Sequence, residues 1–157
     1  MLQPLPQPGP RYEALLGLLH TAETVWNASR LFFVRWDLTP SQFNILNLLD
    51  SQPEGVSQVE LSRRLIMHRS NVTGLIDRLE ARKLVQRRDL ADDRRAYRVV
   101  LTTAGRKLVQ DILPHYYAAA EAVWGDLPAA RACKLAAELT KVSSNAEQLA
   151  ETIGPAV

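Results

Sequence analysis

The sequence predicts a mainly α-helical protein with a small β-hairpin, in which a winged helix-turn-helix lobe is combined with a helical dimerisation lobe. Three observations lead to this prediction. Two short helical patterns and a basic hairpin follow one another without a gap between residues 57 and 105. Longer amphipathic patterns flank this segment on both sides. Positive charge is concentrated in the same central segment.

The charge is unevenly distributed along the chain. Residues 57–107 hold 13 Lys and Arg against 6 Asp and Glu, whereas the rest of the chain holds 6 against 11. The middle therefore carries +7 and the flanks −5, although the whole chain carries only +2. Such a basic region is typical of a surface that neutralises phosphates. The alternative interpretation is a solvated helical surface.

Length and composition limit the class of protein. A chain of 157 residues with 46% hydrophobic residues fits one domain, or a small domain with a dimerisation element. The single Cys133 excludes an internal disulfide, and neither a long apolar run nor a basic leader begins the chain. We therefore expect a cytoplasmic protein that does not bind a membrane.

The first part of the chain is divided by its prolines. Residues 1–10 contain four of the nine prolines, which predicts a flexible arm. Apolar residues then recur at helical spacing, which predicts an N-terminal dimerisation helix over residues 11–36. We assign residues 37–103 to the winged helix-turn-helix DNA-binding domain and residues 104–157 to C-terminal dimerisation helices.

Capping signals mark the helices of the central domain. Thr39 precedes Pro40 and Gln42, a combination that predicts a capping box and a helix start. Ser57 with Glu60 predicts a second box, which begins a third helix. The fourth helix is predicted over about residues 69–82.

The fourth helix has one apolar face, formed by Val72, Leu75, Ile76 and Leu79. The opposite face is polar, and its side chains are of the kinds that contact base edges and phosphates. Gly74 lies on this face and indicates close approach to a partner, although a tolerated surface glycine is the alternative. Asp77 is expected to pair with an arginine. The predicted contact set is Arg69, Ser70, Asn71, Thr73, Gly74 and Arg78.

Two strands are predicted after this helix, over residues 84–88 and 96–101, joined by a polar stretch over residues 89–95. Arginine side chains on a protruding hairpin can enter the minor groove of DNA. The predicted wing contacts are Asp93, Arg94 and Arg95, with Asp93 orienting one of the arginines. A charged, solvated turn is the alternative.

Three segments of this region resemble the multiple-antibiotic-resistance regulator (MarR) family, in the family's order and spacing. They are Ser70-Asn71-Val72-Thr73-Gly74-Leu75-Ile76-Asp77-Arg78-Leu79-Glu80, Asp93-Arg94-Arg95-Ala96 and Leu101-Thr102-Thr103-Ala104-Gly105. The resemblance implies a homodimer whose fourth helices read the major groove of double-stranded DNA and whose wings touch the flanking minor grooves. It also implies repression from pseudopalindromic sites, often relieved by a phenolic or other anionic ligand.

The chain departs from the family pattern near the fourth helix. Ile66 and His68 stand where a glycine and a serine cap are usual, so the turn geometry is expected to differ. Lys83 replaces the glycine that commonly follows this helix, so the helix is expected to end less sharply. Neither change removes a group that faces DNA.

The C-terminal region contains two more amphipathic helical patterns, divided near residues 125–128. With the first helix they expose more apolar surface than one subunit covers easily, which indicates association. Packing within a monomer is the alternative.

A small aromatic or anionic effector is also predicted, with Trp26, Arg30, His115 and Tyr116 as candidate pocket residues, although aromatic residues on such helices are more often part of a core.

The competing function classes have little support in the sequence. No glycine-rich phosphate loop, cysteine pair or metal-ligand spacing of the histidines is present, so we expect no enzyme activity, no cofactor and no metal. A buried or inert Cys133 is favoured over a redox sensor. The prediction is a sequence-specific transcriptional regulator, most simply a repressor. The alternative is a winged-helix module that contacts proteins without reading DNA sequence.

Overall fold

A computed structural model describes residues 8–65, 72–90 and 93–154, with backbone only at residues 90 and 93–96. Within these ranges the helices are α1 (Pro10–Phe33), α2 (Pro40–Asp50), α3 (Gln58–Arg64), α4 (Val72–Ala81), α5 (Thr103–Trp124) and α6 (Ala129–Ile153). The strands are β1 (Val56–Ser57), β2 (Val85–Leu90) and β3 (Asp93–Leu101). The predicted mainly α-helical fold with a small hairpin is confirmed.

Helix α1 begins inside the region predicted to be an arm. Pro10 occupies its first turn, where a missing N–H removes no helical hydrogen bond. The rest of the predicted arm, residues 1–7, lies outside the described residues. A short 3-10 turn over Val34–Trp36, which the sequence analysis did not predict, follows α1 and leads to α2.

The predicted start of α2 is confirmed. The backbone N–H of Thr39 donates to Gln42 Oε1 at 2.8 Å, and the N–H of Gln42 donates to Thr39 Oγ1 at 3.2 Å. Only half of the second predicted box is formed. The Ser57 hydroxyl accepts from the N–H of Glu60 at 3.2 Å, while the Glu60 carboxylate accepts from Arg64 Nε at 2.6 Å.

The strands form an antiparallel sheet in the order β1-β3-β2. Strand β1 was not predicted, because a two-residue strand leaves no periodic pattern; its Val56 pairs with Val99 of β3. The predicted connection over residues 89–95 is shorter than expected. Backbone pairing continues to Leu90 opposite Asp93, since main-chain hydrogen bonds form irrespective of side-chain charge.

The hydrophobic core is formed by side chains from the end of α1 to the first half of α5. Phe33 at the end of α1 stacks on Phe43 of α2 with ring centroids 4.6 Å apart, and both rings are buried. Helix α4 contacts α2, α3 and β2. Its predicted apolar face is confirmed for the three buried residues Val72, Ile76 and Leu79.

Helix α4 ends sharply, so the expectation of a less sharp end is wrong. The N–H of Leu84 donates to the carbonyl of Leu79 at 3.0 Å, and the N–H of Lys83 donates to that of Glu80 at 2.8 Å. This hydrogen-bond pair closes the last turn in the manner of a Schellman motif. Lys83 adopts the required left-handed conformation, with φ of 57°, despite its side chain.

The segment Thr102 to Gly105 joins β3 to α5. Thr102 Oγ1 accepts from the N–H of Gly105 at 3.0 Å and donates to the carbonyl of Lys83 at 2.7 Å. A Cβ on Gly105 would lie 2.0 Å from the Leu84 carbonyl oxygen. The threonine therefore caps α5, and the glycine lets α5 approach the end of α4 closely.

The chain divides into two compact units, of which the first ends at Pro114 and the second begins at His115. In the second unit α6 contributes no buried residue among those described, and Cys133 is exposed rather than buried. None of the helices in the described ranges combines the length and apolar character needed to span a membrane. The domain boundaries proposed from the sequence stay a prediction.

Candidate nucleic-acid interface

The candidate interface consists of the polar face of α4, the adjoining start of α3 and the β2-β3 hairpin. Thr73 and Arg78 of α4 are exposed, and Gly74 is half-buried. These positions agree with the polar face predicted for this helix. The other predicted α4 contacts, Arg69, Ser70 and Asn71, lie outside the described residues, as do Ile66 and His68 of the turn.

The hairpin carries the predicted wing residues. Asp93, Arg94 and Arg95 form the start of β3, and the backbone of Asp93 pairs with that of Leu90. Their side chains lie outside the described part of the chain. The expected orientation of an arginine by Asp93 therefore stays a prediction.

Three side chains connect the start of α3, the start of α4 and the hairpin. The Tyr97 hydroxyl, on β3, donates to Gln58 Oε1 at the start of α3. Gln58 Nε2 in turn donates to Thr73 Oγ1. Tyr97 and Gln58 are half-buried, whereas Thr73 is exposed. The hydroxyl of a predicted base-contacting residue is thus bonded to the hairpin through one glutamine.

Arg87 of β2 holds the hairpin to α4 by a second route. Its guanidinium donates to Asp77 at 2.5 Å and also to Glu80, while its backbone N–H donates to Glu80 at 3.0 Å. The guanidinium carbon lies 5.3 Å from the centroid of the Tyr97 ring. Hydrogen bonds that the guanidinium donates to Asp77 and then to Tyr97 raise the pKa of Arg87 above its ordinary value. The predicted pairing of Asp77 with an arginine is confirmed.

Sequence reasoning did not find the structural role of Arg87, because an arginine in a basic hairpin is indistinguishable by type from one that faces DNA. Several other cations of the basic segment are also occupied within the protein. Arg64, Arg82 and Arg106 form ion pairs with Glu60, Asp37 and Asp50, respectively. Within the described residues, no ion pair involves Arg63, Arg78, Lys83 or Arg88. Fewer cationic side chains are therefore free to contact a partner than the 13 Lys and Arg counted in residues 57–107.

Arg78 lines an open groove of about 480 Å³ between α4 and the start of α2. Thr39 and Gln42 of the α2 capping box line the same groove, together with Arg82. The Arg82 guanidinium is engaged there by the carbonyls of Trp36 and Asp37. Arg78 thus lies to one side of the α4 polar face, towards α2, and its contact with DNA stays a prediction.

The four candidate effector residues belong to different compact units. Trp26 and Arg30 lie on α1 in the first unit, and His115 and Tyr116 lie on α5 in the second. Their common pocket stays a prediction.

Within the described ranges, no group of three His, Cys, Asp or Glu side chains is arranged to hold a metal ion.

Comparison with known proteins agrees with this architecture. Residues 36–96 match the model of the MarR family. The chain is 30% identical to the HTH-type transcriptional repressor YetL of Bacillus subtilis over 112 residues, which are 71% of this chain and 67% of YetL. The chain belongs to the MarR family. MarR proteins are winged-helix transcriptional regulators, so this chain is a DNA-binding transcriptional regulator and not an enzyme.

Two solved structures of MarR regulators extend the comparison to most of the chain. BpsR of Bordetella bronchiseptica, whose DNA binding is regulated by 6-hydroxynicotinic acid, is 30% identical with a TM-score of 0.76, over 87% of this chain and 98% of BpsR. MepR of S. aureus in complex with DNA is 25% identical with a TM-score of 0.73, over 85% of this chain and 97% of MepR. The likeness therefore includes the long flanking helices as well as the central MarR segment.

Proposed function

We propose that this MarR protein is a repressor that binds a two-fold-related operator sequence as a homodimer. The observation that carries the proposal is the joint presentation of an exposed Thr73 on α4 and a hairpin fixed to the same helix by Arg87. The complex of MepR with DNA supports it, since the two chains share a fold at 25% identity.

In the proposed complex α4 lies in the major groove, which at about 12 Å wide admits one α-helix. Thr73 and Asn71 contact base edges, and Arg69 and Ser70 contact phosphates beside the helix N-terminus. The hairpin then reaches the adjacent minor groove with Arg94 and Arg95. Arginine is favoured there because a narrow minor groove has an enhanced negative potential.

Homodimerisation is proposed from apolar surface that the single chain leaves exposed. On α1 the exposed large apolar side chains are Tyr12, Leu15, Leu16, Leu19, Val25 and Leu31. In the second unit they are Tyr117, Val123, Trp124, Leu135, Val142, Leu149 and Ile153. Surface of this extent is usually covered by a partner. A two-fold dimer would place two α4 helices on half-sites about one helical turn apart.

Release by a small aromatic or anionic effector is part of the proposal. The regulation of DNA binding in BpsR by 6-hydroxynicotinic acid supports an effector of this class, because BpsR is 30% identical to this chain and has the same fold. Among the candidate effector residues, Trp26 and Tyr116 carry aromatic rings, and Arg30 and His115 carry hydrogen-bond donors, which are the kinds of group that such a ligand requires. Titration of the DNA complex with hydroxylated aromatic acids tests this part separately from DNA binding.

Selection of random duplex DNA on the purified full-length protein tests the main proposal. We expect enrichment of a motif with two-fold symmetry and half-sites spaced by about one helical turn. Enrichment of a single, non-repeated half-site would contradict the dimeric arrangement. Absence of any enriched motif would contradict the proposed function and would favour the alternative, a winged helix that contacts proteins.

A further inference from the structure

We propose that Tyr97 and Gln58 are positioning residues that determine which base pair Thr73 selects. The inference rests on the proposed function, since it concerns how the protein discriminates between DNA sequences. It is carried by the two hydrogen bonds that lead from Tyr97 through Gln58 to Thr73, which join β3, α3 and α4.

The direction of these hydrogen bonds determines what the Thr73 hydroxyl offers to DNA. The Tyr97 hydroxyl donates to the carbonyl oxygen of Gln58, which turns the amide nitrogen towards Thr73. A hydroxyl has one donor and two acceptor positions, and Gln58 fills one acceptor position of Thr73. The Thr73 proton is then left for an acceptor on a base edge, such as N7 or O6 of guanine or O4 of thymine.

The position of Tyr97 is itself constrained by α4. The Arg87 guanidinium lies over the Tyr97 ring, 5.3 Å from its centroid, and is held by Asp77 and Glu80 of α4. The phenol therefore approaches Gln58 from a hairpin that is already fixed to α4. Tyr97 and Gln58 are half-buried, which reduces the competition of water for their hydrogen bond.

Loss of this arrangement would affect discrimination more than affinity. Without the Tyr97 hydroxyl, the Gln58 amide can turn over and the Thr73 side chain can adopt other rotamers, so a mismatched base pair is accommodated more easily. A good base contact discriminates against the wrong base by about ten-fold or more. We therefore expect Tyr97→Phe to reduce discrimination at one base pair of each half-site by about ten-fold.

The test uses the full-length protein and the duplex selected by the wild type, with each base pair of a half-site replaced in turn. Binding is measured for the wild type, Tyr97→Phe, Gln58→Met and Thr73→Val, and for Gln52→Met as a matched control on a half-buried glutamine outside the candidate interface. We expect Tyr97→Phe, Gln58→Met and Thr73→Val to lose discrimination at the same base pair. We expect the Tyr97→Phe/Thr73→Val double variant to lose no more than Thr73→Val alone.

A merely structural role of Tyr97 would weaken binding to every duplex by the same factor and leave the preference profile unchanged. That result would overturn the inference while leaving the proposed function intact, as would lost discrimination at a base pair that Thr73→Val does not affect. If the wild type preferred no sequence at all, the proposed function would fail first and the inference with it. Gln58→Met provides the same test if Tyr97→Phe does not fold.

Discussion

Position 105 requires glycine, because the neighbouring backbone leaves no room for a side chain there. The N–H of Gly105 is bonded to the Thr102 hydroxyl, and its α-carbon faces the carbonyl oxygen of Leu84 so closely that a Cβ would lie 2.0 Å from it. The facing atom is backbone, which has no rotamer through which to move away. The junction between β3, the end of α4 and α5 therefore accepts only glycine.

We expect Gly105→Ala to lower the free energy of unfolding by roughly 3 kcal/mol, because overpacking against a rigid backbone atom displaces the start of α5. Urea unfolding at a fixed protein concentration measures the effect. Gly17→Ala on α1 is the matched control. Nothing lies within 4 Å of a Cβ there, so helix propensity alone should raise stability by about 0.5–1 kcal/mol. Equal stability of Gly105→Ala and the wild type would contradict the close approach.

Lys83 is in the opposite situation, since it occupies a conformation that favours glycine. We expect Lys83→Gly to raise the free energy of unfolding by about 0.5–1 kcal/mol, because the left-handed conformation costs a residue with a Cβ roughly 1–2 kcal/mol and the entropy of glycine offsets part of that. Lys83→Ala retains the strained φ and should give no such gain in the same urea experiment. A gain with alanine equal to that with glycine would show that strain is not the cause.

At the scale of elements, the hairpin is attached to α4 by ion pairs that cross from β2 to the helix. Arg87 is 25% exposed and bonds two carboxylates of α4, so its charge is partly shielded from solvent. Charge-assisted hydrogen bonds within such a network are stronger than single surface ion pairs. The hairpin is therefore fixed to α4 by charged contacts.

We expect Arg87→Met to lower the free energy of unfolding by about 1–2 kcal/mol and to increase hydrogen exchange of the β2 and β3 amides. The methionine retains the apolar part of the side chain but leaves Asp77 and Glu80 without their partner. Arg88→Met is the control, since Arg88 is the exposed neighbour in the same strand and forms no ion pair among the described residues. Equal effects of the two substitutions would refute a special role for Arg87.

The elements that were predicted correctly are those determined by local chemistry. The Thr39 and Gln42 capping box begins α2 as expected, and the apolar spacing of Val72, Ile76 and Leu79 gives the buried face of α4. Each signal lies within one or two turns of the chain, so the sequence alone contains it. The family resemblance added the expectation of a homodimer and of which groove of DNA α4 and the hairpin would each contact.

The features that were missed depend on contacts between distant parts of the chain. Strand β1 exists because Val56 meets Val99, and two residues cannot show a period. The contact from Tyr97 to Thr73 passes through Gln58, 39 residues from Tyr97 and 15 from Thr73. The end of α4 was mispredicted for a related reason, since the backbone hydrogen bonds at Leu84 outweighed the local preference at Lys83.

At the scale of the whole molecule, the proposed dimer depends on the exposed apolar side chains of α6. These are Leu135, Val142, Leu149 and Ile153. We expect Leu149→Asp, at a side chain that is 58% exposed in the single chain, to shift the protein from dimer to monomer in sedimentation velocity experiments. A buried carboxylate without a partner is costly to an interface. Ser144→Asp, at an exposed position on another face of α6, is the matched control and should leave the dimer intact. A dimer that tolerates Leu149→Asp would exclude these apolar side chains from the interface.

The most direct test of the account compares binding to the selected duplex with binding to a shuffled duplex over a series of salt concentrations, for the wild type and for an Arg94→Ala/Arg95→Ala variant. We predict that the wild type prefers the selected duplex by about 10³-fold or more, and that its affinity falls with salt by a logarithmic slope of about 0.9 per phosphate contacted. The variant should show a smaller slope on both duplexes. Equal wild-type affinity for the two duplexes would contradict the claim that this winged helix reads a DNA sequence.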